Sequence, residues 1–199
     1  MSAPLEVNLT DEAQLPTLFG DFRIRGFRGE RPGDEHAAIY VGDIRDEAIL
    51  TRIHSSCVTG DALGSLRCDC REQLQKALAA IAQEGRGLVL YLQQEGRGIG
   101  LASKVKAYAL QDTGADTVEA NVTLGFPPDA RSYTVAAAAL KALGVKSVRL
   151  LTNNPVKKAA LEAHGVKVVE RVPLPVTTNP HNERYLETKR ERMGHDFPA

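Results

Sequence analysis

The sequence predicts an α/β (α+β) fold, one compact domain built on a mixed sheet flanked by helices. Between residues 48 and 170, short apolar runs of strand length alternate with longer stretches of helical spacing. The chain has 199 residues, which suits one ordinary domain able to bury roughly 70% of its unfolded surface. The domain is expected to occupy residues 1–199, with a core of about 15–175 and a C-terminal tail of about 176–199.

In chain order, Phe19 to Ile24 reads as an edge strand, and Ala37–Val41 and Ala48–Ile53 as strands separated by a turn at Gly42-Asp43. Leu74, Ala77, Leu78 and Ile81 recur at helical spacing and stop at Gly85. The apolar run Gly87–Leu92 fits a buried strand, followed by a glycine-rich loop over 93–100 and a helix over 101–112. Tyr133–Leu143 predicts a helix and Val148–Leu151 a strand. A helix then opens at Asn154-Pro155 and runs to Gly165, with a strand over 166–170. Beyond residue 171 the chain is polar and proline-bearing, which predicts an extended stretch and one terminal helix.

Composition narrows the function classes. Lys plus Arg and Asp plus Glu number 25 each, so the chain lacks the cationic surplus of a nucleic-acid binder. Residues 1–7 show no basic start followed by an apolar run, and no stretch approaches the ~20 apolar residues of a membrane span. The expected address is therefore the cytoplasm, where thiols stay reduced. All three cysteines, Cys57, Cys68 and Cys70, fall in one short segment. Three thiols cannot fill a closed four-cysteine zinc site, and three protein ligands with one open position is the arrangement of catalytic zinc. His54 stands near enough in sequence to be a fourth ligand, and buried reduced thiols are the plainer alternative.

Three further segments carry chemistry-bearing residues. Gly96, Gly98 and Gly100 surround Arg97 between a strand and a helix, where the backbone can approach a ligand closely. The segment fits neither a P-loop nor a dinucleotide-binding fingerprint. Asp129 precedes Arg131 by two residues at an expected helix start, as a helix cap with a surface cation would. Thr152 to Lys157 bridges a strand end and a helix start, where open α/β sheets bind ligands.

Taken together and in this order, His54–Ala62, Ser65–Cys70, Gln94–Leu101, Lys106–Asp112, Asp116–Asn121, Leu124–Tyr133, Leu151–Pro155 and Glu170–Leu174 resemble the GTP cyclohydrolase II family. The likeness covers about residues 15–195. It implies an enzyme that converts GTP to 2,5-diamino-6-ribosylamino-4(3H)-pyrimidinone 5′-phosphate, formate and pyrophosphate, at the start of riboflavin synthesis. It implies one catalytic zinc on Cys57, Cys68 and Cys70, and zinc can lower the pKa of its water to about 7. Tyr108 is implied beside it as a positioner of water or a proton carrier. Asp129 and Arg131 are implied at the α-phosphorus, Asp129 as base and Arg131 as covalent nucleophile or charge stabiliser. Mg²⁺ is expected on the triphosphate. Arg52, Ile53, His54, Ser55, Ser56, Gln73, Glu95, Gly96, Arg97, Thr117, Thr152 and Lys157 match GTP-contacting positions, with Lys157 on phosphate and Glu95 on the guanine edge. The resemblance also suggests a homodimer, with residues after 171 as contacts or a lid, no membrane and no nucleic-acid polymer.

The chain departs from the family pattern at three positions beside these segments. Ser56 stands where many members have Glu, Gln93 where Arg is common, and Arg71 where Gly is usual. Two alternatives follow: a ring-opening enzyme that retains the formyl group, and a zinc- and nucleotide-binding homologue without turnover. Tyr108 argues against the first, and Asp129, Arg131 and Tyr108 together against the second. Many members carry a second domain that makes dihydroxybutanone phosphate. This chain is too short to include one, so only the cyclohydrolase reaction is expected.

Overall fold

In the computed structural model, which describes residues 5–29 and 33–196, seven strands form one mixed sheet in the order β1-β2-β3-β5-β4-β6-β7. The strands are β1 (Ala13–Thr17), β2 (Gly20–Arg28), β3 (Glu35–Val41), β4 (Ile49–Ser55), β5 (Gly87–Leu92), β6 (Ser147–Leu151) and β7 (Lys167–Val172). The first three and β5 pair antiparallel, while β5, β4, β6 and β7 are parallel neighbours. Helices α1 (Val58–Asp61), α2 (Cys70–Glu84), α3 (Leu101–Asp112), α4 (Thr117–Thr123), α5 (Thr134–Ala142), α6 (Pro155–Ala163) and α7 (Glu183–Met193) fill the connections and the C-terminus. Among the described residues, no helix is long and apolar enough to cross a membrane.

Side-chain alternation in the strands creates two cores. Leu88, Leu90 and Leu92 of β5 face one side with Ile49 and Ile53 of β4, and pack with Ala136, Ala139 and Leu140 of α5 and Leu161 of α6. Val89 and Leu50 face the other side, against Ala77 and Ile81 of α2. Both faces of the parallel half are therefore covered, which is why β4 and β5 are buried nearly throughout. Truncating Ile81 to Ala would cost about 2–5 kcal/mol by the usual scale for buried aliphatics.

The structure corrects two element expectations. The 19–24 segment is not an edge strand: its strand, β2, lies inside β1, which takes the edge. Pro16 pairs opposite Asp21 in β1, and a residue without an N–H belongs on an outermost strand. Helix α4 was not expected, although its start was legible. Asp116 accepts from the Val118 and Glu119 N–H groups while Glu119 accepts from the Asp116 N–H, a full capping box. The terminal helix is present as α7, docked against α4.

Candidate active site

Three parallel strands deliver the site at their carboxyl ends, where an open α/β sheet exposes loop backbone and helix starts. β4 runs into Ser56-Cys57 and α1, β5 into Gln94-Glu95, and β6 into Thr152 and the start of α6. Along β4, Arg52 and His54 share the face of Leu50, while Ile53 points into the opposite core. All the expected site residues except Ile53 and Asp129 line one cleft. The Ile53 side chain is fully buried in the core, so only its carbonyl oxygen takes part, accepting from Lys157 Nζ at 2.8 Å.

At one end of the cleft the sulfurs of Cys57, Cys68 and Cys70 all lie within 4.8 Å of one another, with Cys57 and Cys68 3.7 Å apart. A side chain at Gly60 would fill the space: its Cβ would sit 2.7 Å from Cys68 Sγ and 3.2 Å from Cys57 Sγ. A cradle of three soft donors kept open by a glycine fits a thiophilic cation such as zinc. Hydrogen bonds with Cys68 and Cys70 hold the Cys57 thiol far below its ordinary value. The same bond with Cys57 pushes Cys68 up to about 11, and Cys70 rises too. Lys104 Nζ donates to Cys57 Sγ at 3.0 Å, to Thr59 Oγ1 at 2.8 Å and to Glu95 Oε1 at 2.7 Å, so a buried cation faces the thiolate.

His54 is not a fourth sulfur-cluster partner. Its Nε2 lies 3.1 Å from Asp61 Oδ2, and Asp61 also accepts from the Cys57 N–H at 3.0 Å and the Tyr91 hydroxyl at 2.9 Å. Burial holds the imidazole below its ordinary pKa despite that partner, so it is neutral and donates from Nε2. Tyr108 shares a 3.1 Å hydrogen bond with the Thr59 hydroxyl, under the Arg67 guanidinium and near Lys104. Burial pushes its phenol up, so it keeps its proton at neutral pH.

The cleft also carries a cationic group of residues despite the chain's zero net charge. Lys157 is buried, and its ammonium is pressed well below the lysine range by burial first, then by Arg52, Arg131 and Lys189. Arg52 spends its terminal nitrogens on the Leu151 carbonyl and on Gln73. Among the described residues, Arg52 Nε and Arg97 Nη2 are buried without a hydrogen-bond partner. Buried orphan guanidinium nitrogens beside a crowded lysine call for an anion that brings several oxygens.

The 95–100 loop and the 129–131 segment lock backbone to backbone. The Ala130 N–H donates to the Arg97 carbonyl at 3.0 Å, and a Cβ on Gly98 would meet the Ala130 carbonyl oxygen at 2.9 Å. Asp129 does not cap α5. Its carboxylate takes both Arg131 Nε at 2.8 Å and Nη2 at 2.5 Å, as a fork on a fork. Burial lowers the Arg131 pKa, but Tyr133 and Asp129 outweigh it, so the guanidinium stays charged. Asp129 is held below the carboxylate range by Arg131 against its own burial. One Glu95 oxygen accepts from the Val58 N–H at 2.6 Å, the other from the Gly96 N–H and Lys104.

Two of the three departures from the family pattern have structural work, and nothing in the structure explains the Gln93 side chain. Ser56 Oγ accepts from the Gln94 N–H at 3.1 Å, and Arg71 ties the end of α1 to α2 through the carbonyls of Asp61 and Ala62. Gln93 is exposed, with its N–H on His36 Nδ1. Sequence reasoning missed Asp61, Lys104, Asp69, Tyr185 and Lys189. Asp61 and Asp69 lay inside quoted motifs, whereas Lys104 carried only a hint, being the one lysine on the buried face of α3.

The sequence matches the GTP cyclohydrolase II family over residues 8–173. "GTP cyclohydrolase-2" of Aeromonas hydrophila is 57% identical over 192 residues, covering 96% of this chain and 98% of its own length. The Pseudomonas paraeruginosa protein of that name is 59% identical over 184 residues, with 92% and 90% covered. "Riboflavin biosynthesis protein RibBA" of Salinispora tropica is 58% identical over 192 residues, 96% of this chain but 48% of the relative. The chain thus spans about half the length of the RibBA proteins it matches and nearly all of the Aeromonas protein. A match over most of the chain, on a cleft that joins three thiols to a row of buried cations, places this chain in the GTP cyclohydrolase II family.

Proposed function

We propose that this chain is an enzyme of riboflavin biosynthesis that opens the imidazole ring of GTP and releases formate and pyrophosphate. The observation that carries the reading is the shared cleft, with a three-thiol centre and the buried cations Arg52, Arg131 and Lys157 on one wall system. The product is 2,5-diamino-6-ribosylamino-4(3H)-pyrimidinone 5′-phosphate. Cys57, Cys68 and Cys70 would hold zinc, which when bound would supply the Lewis acidity that brings the pKa of water toward neutrality.

The chain's own residues supply the rest. Lys104 offsets the thiolate charge at Cys57, and Asp61 fixes that residue's backbone, so the centre is held from two sides. Tyr108, neutral and tied to Thr59, positions water and passes a proton as the C8–N9 bond breaks and the formamide is hydrolysed. Arg131, charged and clamped by Asp129, stabilises the negative charge that gathers as water displaces pyrophosphate from the α-phosphorus. Its raised pKa favours this role over that of a nucleophile. Lys157, Arg52 and Arg97 take the phosphate oxygens, with Mg²⁺ neutralising the remainder. Glu95 braces the backbone after Cys57 through the Val58 N–H, and the free acceptor site on its Oε2 is the one that would take the guanine edge. Thr117, Thr152, Gln73, Ser55 and Gly96 form the remaining walls. The proposal places the enzyme in the cytoplasm as a homodimer, which light scattering on the purified chain would test.

The deciding experiment incubates zinc-loaded protein with GTP and Mg²⁺ and follows formate, pyrophosphate and the pyrimidine by mass spectrometry. All three should appear together. A formylated pyrimidine without formate would replace the proposed product, and none of the three would overturn the reading.

A further inference from the structure

The family match ends at residue 173, yet the cleft does not. Helix α7, ten residues further on, returns across it and contributes Tyr185, Lys189 and Met193 to its lining. Lys189 Nζ donates to Asp69 Oδ1 at 2.6 Å, over a separation of 120 residues. The two side chains are 9% and 0% exposed. Asp69 stands between Cys68 and Cys70, and its other oxygen accepts from Gln73 Nε2 at 2.6 Å. Gln73 Oε1 in turn accepts from the Arg52 guanidinium. One hydrogen-bonded path therefore runs from the C-terminal helix through the cysteine turn to the cation at the end of β4.

The charges explain why the path needs its far end. Asp69 is a fully buried carboxylate flanked by two thiols, and the cation in direct contact with it is the buried Lys189 ammonium. Removing one partner of a buried pair leaves an uncompensated charge, which costs more than the pair itself contributes. The turn that carries two of the three sulfurs would relax to reach water. Further bonds hold the helix in register: Arg192 pairs with Asp116 before α4, and the Asp196 N–H donates to the Asn153 carbonyl at 3.0 Å.

We propose that Lys189 is a positioning residue, which docks α7 on Asp69 and so holds the Cys68–Cys70 turn and Arg52 in their binding geometry. Metal retention and substrate docking then depend on the same ion pair. Only the substrate half of this inference rests on the GTP reading.

The test compares Lys189→Met, Lys189→Arg, Asp69→Asn and the double variant Asp69→Asn/Lys189→Met in the full chain. Zinc release to a chromogenic chelator and amide exchange over residues 66–73 and 183–193 are read without GTP, and KM and kcat with it. Lys189→Met should speed zinc release about 10–100-fold, the scale set by groups that orient metal ligands. It should loosen both segments together and raise KM more than it lowers kcat, and Lys189→Arg should restore most of each. The double variant, which leaves no buried orphan charge, should release zinc no faster than Lys189→Met. The proposal fails if Lys189→Met frees α7 while zinc release stays within twofold of the parent, or if the double variant's effects simply add. Should Lys189→Met not fold, zinc release by the double variant against Asp69→Asn alone decides it: equal rates support the coupling, and a faster double variant overturns it. A wild-type chain that binds zinc but does not turn over GTP would instead refute the GTP reading alone.

Discussion

Asp61 accepts the Cys57 backbone N–H at 3.0 Å, so the residue that carries the first sulfur is aimed by a carboxylate four positions later. The same carboxylate takes His54 and Tyr91, and stacking of those two rings closes the arrangement. Asp61→Ala would orphan three donors at once. The expected result is a zinc affinity lower by about 10–100-fold and a stability loss of at least ~2 kcal/mol. Chelator competition and urea unfolding measure the two; unchanged zinc affinity would show that Cys57 is aimed by its own backbone alone.

Lys157 predicts proton uptake on substrate binding. Its pKa is depressed in the free site by burial and by three neighbouring cations, and a polyanion raises it again. Binding therefore takes up a proton, so affinity falls as pH rises through the free-site value, which lies below the ordinary ~10.4, toward the bound one. Calorimetry with an α,β-methylene GTP analogue, in buffers of different ionisation enthalpy, should show net uptake that Lys157→Met removes. Buffer-independent heats in the parent chain would contradict this.

Gly98→Ala combines two penalties, a φ of 93° and a Cβ 2.9 Å from the Ala130 carbonyl oxygen. The strained backbone should cost about 1–3 kcal/mol. The displaced segments hold Arg97 and Arg131, not the sulfurs. Turnover should fall while zinc stoichiometry stays at the parent level, which metal analysis beside kinetics would establish.

His195 makes α7 docking sensitive to acid. Burial first, then Lys189 and Lys157, pull its pKa down to about 3, against about 6.5 when unfolded. Between these values the undocked form binds the extra proton, so this stabilisation is complete above pH ~6.5 and is lost as pH falls toward 3. The slope from this one group is at most about 1.4 kcal/mol per pH unit. Protection factors of residues 183–193, with the intrinsic pH dependence of amide exchange divided out, should fall from pH 7.5 to pH 5.5, and His195→Gln should flatten that dependence.

The two halves of the reaction should separate genetically. Cys57→Ser is expected to abolish formate release while some conversion of GTP to GMP and pyrophosphate survives. Arg131→Ala should suppress pyrophosphate release by roughly 10³-fold or more, the usual scale for a lost charge stabiliser in phosphoryl transfer. Formate release that survives Cys57→Ser would remove the case for a catalytic metal at the thiols.

Much of the fold was legible because its signals are local. The apolar run 87–92 and the spacing of Leu74, Ala77, Leu78 and Ile81 announce a buried strand and a packed helix, and both form as β5 and α2. The edge position was misread because nothing local distinguishes an outer strand from its neighbour except Pro16. Helix α4 carries its capping box, Asp116 and Glu119, in a segment too short to show a helical period.

By itself, the sequence determined the family, the clustering of Cys57, Cys68 and Cys70 and the order of the segments that meet in the cleft. Those follow from residue types at short spacing, which the chain cannot hide. Only the tertiary structure decided that His54 belongs to Asp61 rather than to the sulfurs, that Glu95 braces the cysteine turn, and that Lys189 reaches Asp69 from 120 residues away. Such pairings are fixed by which loops the sheet order brings to one edge, and by the need of each buried charge for a partner. Neither requirement leaves a mark in the spacing of residues along the chain.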